Sequence, residues 1–156
     1  MAIEIERKFL VKNDDWRQSS DAGVAIAQGY FGSPQKASIR VRIQGNSANI
    51  NIKSARLGIS RHEYEYAIPL EDARHMLDEL CVRPVIEKHR YHCEYQGHIW
   101  EIDVFEGDNA GLVVAEIELG DENETFAIPD WAGEDVSHDP RYYNVSLLKH
   151  PFKEWD

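Results

Sequence analysis

Apolar and charged residues alternate with a period of two along most of this chain. From Ile3 onward, Ile3 and Ile5 fall on one side and Glu4, Glu6 and Lys8 on the other, because successive side chains of an extended strand point to opposite faces. The same alternation predicts strands over residues 3–11, 24–31, 37–44, 48–55, 60–68, 85–95, 98–105 and 113–119. Turn-forming residues separate them: Gly32, Ser33 and Pro34; Gly45, Asn46 and Ser47; Gln96 and Gly97; Gly107, Asp108 and Asn109. One segment changes period. After Pro69, with Glu71 and Asp72 in the opening turn, Ala73, Met76, Leu77 and Leu80 recur at three- and four-residue spacing, which predicts a helix dividing the strands into two groups. Shorter helical turns are expected over 14–20, 129–131 and 142–149. Eight short strands with brief turns predict a mainly β chain with some α (α+β), arranged as an eight-stranded antiparallel β-barrel with peripheral helices. A parallel sheet would need a helix after nearly every strand.

The charged positions are sorted by sign. Glu4/Glu6, Arg40/Arg42, Glu63/Glu65, Lys88/Arg90, Glu101/Asp103 and Glu116/Glu118 are like-charged pairs two residues apart. An ordinary solvated sheet face would also carry charge. It would mix Lys, Glu, Thr, Ser and Gln, because like charges side by side repel. Turned inward, the same positions would line the lumen of a closed barrel. Two like charges about 4 Å apart repel by roughly 4 kcal/mol at an effective dielectric near 20, so clustered carboxylates must protonate, pair with bases or bind cations. Hard oxygen ligands select Mg²⁺ or Mn²⁺. Facing Arg and Lys groups supply what phosphate oxygens require.

A length of 156 residues suits one domain spanning residues 1–156, with enough chain to bury a core. The net charge of −11 argues against a nucleic-acid or anionic-membrane binder. A small polyphosphate is compatible with it, since that needs only a local basic pocket. Cys81 and Cys93 fit neither a disulfide framework nor zinc spacing. The charged start of the chain and the lack of a long apolar run lead us to expect a soluble cytoplasmic protein. Monomer and homodimer both remain open.

Glu4, Glu6 and Lys8, followed in order by Gln28-Gly29-Tyr30, Arg40 and Arg42, Lys53, Arg61 to Glu65, Lys88 to Arg90, Asp103, Glu116 and Glu118, and a late Tyr143-Asn144-Val145-Ser146-Leu147-Leu148, resemble the CYTH superfamily of triphosphate tunnel metalloenzymes. The resemblance covers essentially the entire chain. It implies a tunnel that binds triphosphate with a divalent metal, Mg²⁺ or Mn²⁺. By position, Lys8, Arg40, Arg42, Lys53, Lys88 and Arg90 correspond to its substrate-binding bases, and Glu4, Glu6, Glu63, Glu65, Asp103, Glu116 and Glu118 to its metal-side acids. Catalytic roles are expected for Lys8, Lys88 and Glu63. The implied activity is metal-dependent hydrolysis of inorganic tripolyphosphate to pyrophosphate and phosphate. Class IV adenylyl cyclase and thiamine triphosphatase are the alternatives within the family, and a triphosphate-binding protein without catalysis is the alternative outside enzymology. No segment for reading a base or thiamine ring stands out, which favours the simple polyphosphate.

Overall fold

The computed structural model describes residues 2–31, 36–55 and 59–155. Its strands are β1 (Ala2–Val11), β2 (Val24–Tyr30), β3 (Ala37–Gln44), β4 (Ser47–Ser54), β5 (Ser60–Ile68), β6 (Ile86–Tyr95), β7 (His98–Phe105), β8 (Val113–Glu118) and β9 (Ala132–Asp135), and its α-helices are α1 (Leu70–Glu79) and α2 (Asn144–Leu147). Neighbouring strands run antiparallel in the order β5-β4-β3-β2-β6-β7-β8-β1. The sheet closes because β1 is long enough to serve two partners: its first half pairs with β5 over Ala2 to Ile5, and its second with β8 over Glu6 to Leu10. This is the eight-stranded antiparallel barrel expected from the alternation. Two tight hairpins enforce its register. In the β6–β7 connection Gln96 and Gly97 both have positive φ, the type I′ geometry whose twist matches the flanking strands.

Three local expectations need adjustment. The stretch 129–131 is not helical; it is a turn closed by a hydrogen bond from Ala132 N–H to the Pro129 carbonyl, and it delivers the short ninth strand β9 onto β1. Four residues that include Gly133, Glu134 and Asp135 carry no alternating signal, so only the waiting edge of β1 makes them a strand. The helical turn over 14–20 is a 3₁₀ turn, Asp15–Ser19, that buries Trp16. The turn over 142–149 resolves into a 3₁₀ turn, Pro140–Tyr142, followed by α2. The turn expected at Gly32, Ser33 and Pro34 lies outside the described residues.

Apolar packing sits mostly outside the barrel. Phe9, Trp100, Ile102, Ala115, Ile117 and Trp131 form one cluster with Trp16 against the outer faces of β1, β7 and β8. Fully burying each large side chain contributes about 1.5–3 kcal/mol. Helix α1 lays Ala73 and Leu77 over Val41 and Ala48 of β3 and β4. It also lies close to β2: a Cβ added at Gly29 would sit 2.9 Å from the Cys81 Cβ and 3.0 Å from a Leu77 methyl. A third cluster closes the barrel from within. Leu10, Ile86, Phe105 and Val114 share strand parity with Lys8, Lys88, Asp103 and Glu116, and they pack with Tyr142 and Leu147 of the C-terminal segment. The inward face therefore changes along its length from charged to apolar, and α2 seals the apolar end.

Candidate active site

Above that floor lies a cavity of about 430 Å³ lined mostly by ionisable side chains. Each inward strand position contributes in the order that the alternation dictates. β1 supplies Glu4, Glu6 and Lys8; β3, Arg40 and Arg42; β4, Lys53; β5, Arg61, Glu63 and Glu65; β6, Lys88 and Arg90; β7, Glu101; β8, Glu116 and Glu118. Of the site residues expected from sequence, all but Asp103 line this one space. Asp103 lies behind it, fully buried, with one oxygen accepting from Arg90 Nε at 2.7 Å and the other from Lys88 Nζ at 2.8 Å.

Charges pair where the cavity narrows. Glu4 accepts from Lys53 Nζ at 2.9 Å and from Arg61 Nε at 2.8 Å. Burial opposes its ionisation, but Lys53 and Arg61 hold its pKa down to about 2. Burial likewise disfavours charge on Asp103, and Arg90 and Lys88 overcome it, again to about 2. Glu6 is the opposite case. Burial, followed by the neighbouring Glu116 and Glu4 carboxylates, pushes its pKa up to about 8. Glu116, beside Lys8 at 3.6 Å, is held well below the usual carboxylate range against the effect of burial. Of the two, Glu6 is the one driven toward its protonated form.

The bases are strained in the complementary sense. Burial, opposed by Asp103, lowers the Lys88 pKa to about 7. Burial and the adjacent Arg40 and Arg90 bring Arg42 to about 9. Arg40 is buried with its Nε lacking a hydrogen-bond partner among the described residues. A buried guanidinium donor without an acceptor is costly unless a ligand oxygen supplies one. Crowded cations with an unmet donor favour an anion beside them, and crowded carboxylates favour a shared proton or a cation.

Several neutral residues support the charged walls; no role was assigned to them from sequence, although Gln28 and Asn144 stand in segments that carry the family resemblance. Asn51 donates to Glu65 at 2.8 Å. Gln28 accepts from Arg42 Nε at 2.9 Å, and Asn144 at the start of α2 accepts from Lys88 Nζ at 2.9 Å. Lys8 Nζ donates to the Tyr142 carbonyl at 3.1 Å. Gln28 and Asn51 share parity with the inward charges, a signal that places both on the inner face. None of the seven histidines lines the cavity.

The CYTH domain model matches residues 2–147. The chain belongs to the CYTH family. Among relatives, the chain is 47% identical over 155 residues to an inorganic triphosphatase of Acetivibrio thermocellus, covering 99% of both proteins. It is 36% identical over 148 residues to an inorganic triphosphatase of Nitrosomonas europaea, covering 92% of this chain and 95% of the relative. A crystal structure of an inorganic triphosphatase superposes with a TM-score of 0.68 at 33% identity, over 95% of each chain. As a CYTH protein, the chain places its sign-sorted doublets inside the barrel, and no helix among the described residues is long and apolar enough to cross a membrane.

Proposed function

We propose that this CYTH protein hydrolyses inorganic triphosphate to pyrophosphate and phosphate, using a divalent cation. The observation that carries the reading is a single cavity in which Lys8, Arg40, Arg42, Lys53, Lys88 and Arg90 share walls with Glu4, Glu6, Glu63, Glu65, Glu116 and Glu118. The naming of two full-length relatives as inorganic triphosphatases supports the same substrate. Chemically, water oxygen attacks a terminal phosphorus, the anhydride P–O bond breaks, pyrophosphate departs with the bonding electrons, and the water gives up a proton. Such a transfer depends mainly on positioning and charge neutralisation, which agrees with a site rich in bases and acids.

In this reading Arg40, Arg42, Lys53 and Arg90 hold the phosphate oxygens, while Lys8 and Lys88 neutralise charge developing on the leaving oxygen. Glu63, whose carboxylate lies 3.4 Å from Lys53 Nζ, accepts the proton of the attacking water. The carboxylates fit a hard cation: Glu6 retains a proton to about pH 8 because Glu116 and Glu4 crowd it where burial already disfavours charge, and a divalent ion would take that proton's place. Glu4, Glu6, Glu116 and Glu118 would hold Mg²⁺ or Mn²⁺, with Glu63 and Glu65 available for a second ion, and the bound cation would neutralise phosphate charge and acidify water. Asp103 we assign as the fixed counter-ion of Lys88 and Arg90, since both its oxygens are already engaged. The partner is a small-molecule triphosphate and not nucleic acid, and the setting is the cytoplasm.

The test is phosphate release from tripolyphosphate, ATP, thiamine triphosphate and pyrophosphate, with Mg²⁺, Mn²⁺ or excess EDTA. Tripolyphosphate should be the preferred substrate and EDTA should abolish release. Cyclic AMP as the main product from ATP would transfer the site to cyclase chemistry, and no turnover of any triphosphate would leave a binding protein.

A further inference from the structure

We infer that Gln28 and Asn144 form a positioning relay that aims Lys88 and Arg42 into the cavity, a role that rests on the proposed hydrolysis of triphosphate. Four hydrogen bonds define it. Arg42 Nε donates to Gln28 Oε1 at 2.9 Å, Gln28 Nε2 donates to Asn144 Oδ1 at 2.9 Å, and Lys88 Nζ donates to that same Asn144 oxygen at 2.9 Å. The second Gln28 Nε2 proton faces the Tyr30 hydroxyl at 3.4 Å. The partners span the chain, with Asn144 lying 56 residues from Lys88 and 116 from Gln28.

The two cations dictate which way both amides point. A lysine ammonium and an arginine guanidinium can only donate. Asn144 must therefore turn its oxygen to Lys88, and Gln28 must turn its oxygen to Arg42, which leaves the Gln28 nitrogen to donate to the Asn144 oxygen. Either amide reversed would set nitrogen against a cation. Gln28 is fully buried, so this orientation is also the only one that satisfies its polar atoms in place of water.

Counting donors gives the consequence. When protonated, Lys88 has three ammonium protons; among the described residues one goes to Asp103 at 2.8 Å and one to Asn144, leaving one for a ligand. Arg42 gives its Nε–H to Gln28 and, among the described residues, keeps its two terminal NH₂ groups for the cavity that it lines. A flexible ammonium otherwise loses rotamer entropy when it binds phosphate; here the relay has already restricted it. Because Asn144 belongs to α2, the C-terminal helix sets the aim of a base on β6 as well as sealing the floor.

The test compares full-length Asn144→Ala, Asn144→Asp and Gln28→Leu with the wild type, using inorganic triphosphate with Mg²⁺ for kinetics and ¹⁵N-lysine labelling to observe the Lys88 ammonium by NMR. Displacing a catalytic group by about 1 Å costs on the order of a hundredfold. Asn144→Ala should therefore lower kcat by roughly ten- to a hundredfold, by more than it raises KM, and should speed exchange of the Lys88 ammonium protons with water. Asn144→Asp keeps an oxygen for both donors and should lose less. Wild-type kcat in Asn144→Ala, equal losses in the Ala and Asp variants, or an unmoved Lys88 signal would each overturn the relay. Should Asn144→Ala fail to fold, Gln28→Leu breaks the chain at its other end, and wild-type kcat there overturns it equally. If the wild type turns over no triphosphate, the functional reading falls and the Lys88 signal alone decides the relay.

Discussion

Glu6 concentrates the conflict between folding and function in one carboxyl. An unfolded glutamate releases its proton near 4.5, whereas burial, Glu116 and Glu4 keep Glu6 protonated to about 8. Between those values the unfolded state has lost a proton that the native state retains, so this group's contribution to stability declines as pH rises from about 4.5 to about 8. Glu6→Gln removes that titration. In EDTA, its melting temperature should gain on the wild type as pH rises through this window, and the advantage should vanish when Mg²⁺ is added, because only the wild type recovers by binding it. A constant offset across pH would show that Glu6 is ionised throughout. The neighbouring position tests parity. Arg7 points outward to Asp135 and lies 5.6 Å from the Phe9 ring, so Arg7→Ala should keep most of its turnover and cost about 0–1 kcal/mol. Glu6→Ala should abolish turnover; equal kinetic losses in the two variants would contradict the inward assignment.

At the scale of elements, two helices do different work with similar packing. Leu77 of α1 covers the outside of β3 and β4, while Leu147 of α2 packs against the inward Ile86, Phe105 and Val114 at the cavity floor. Truncation of either to Ala should destabilise by about 2–5 kcal/mol. Leu77→Ala should leave kcat near wild type in the folded fraction, whereas Leu147→Ala should reduce it, since α2 also carries Asn144. Chemical denaturation with matched kinetics would separate the two. The strands themselves were legible, with boundaries within a residue or two, because two-residue alternation and turn chemistry are local signals. The charged walls were legible for the same reason: parity alone turns Glu116 and Lys8 to the inner face, while the β1–β8 register makes them neighbours. What escaped was whatever depends on distant partners. β9 exists because β1 offers an edge; Asn144 matters because α2 docks beneath Lys88; and Asp103 reads as one more inward acid until its two cationic neighbours are seen. Leu10, Ile86, Phe105 and Val114 carried the right parity, but an apolar residue among inward charges gives no hint that a helix will cover it.

For the molecule as a whole, acids and bases hold each other in balance within one cavity, so cation and anion should assist each other's binding. Mg²⁺ relieves the crowded carboxylates, and triphosphate relieves the crowded Arg and Lys groups. Thermal unfolding should show a larger shift with both together than the sum of the shifts with each alone, since ligands that bind only the native state stabilise it by mass action. A merely additive shift would mean that the two occupy independent sites. The net charge of −11 belongs in the same account. Several of those negative charges face the cavity, and a bound divalent cation would cancel them locally before an anion enters.

The double pairing of β1 has a consequence in time as well as in space. The first strand made cannot find its neighbours until β5, then β8 and β9, have been synthesised, more than a hundred residues later for the last two. Contacts so far apart in sequence close large loops and form slowly. The hairpins β3–β4 and β6–β7, joined by two-residue turns, are the natural early structures. The seam along β1 is then the final event, and only at that event do Glu4 and Glu6 meet Glu116 and Glu118. Pulse-labelled hydrogen exchange during refolding should find the amides of β1 protected last, after those of both hairpins; earlier protection of β1 would contradict this order. Nascent chains on the ribosome would then carry two half-walls of the site, each too sparse to capture a cation or a phosphate, until the seam is drawn shut.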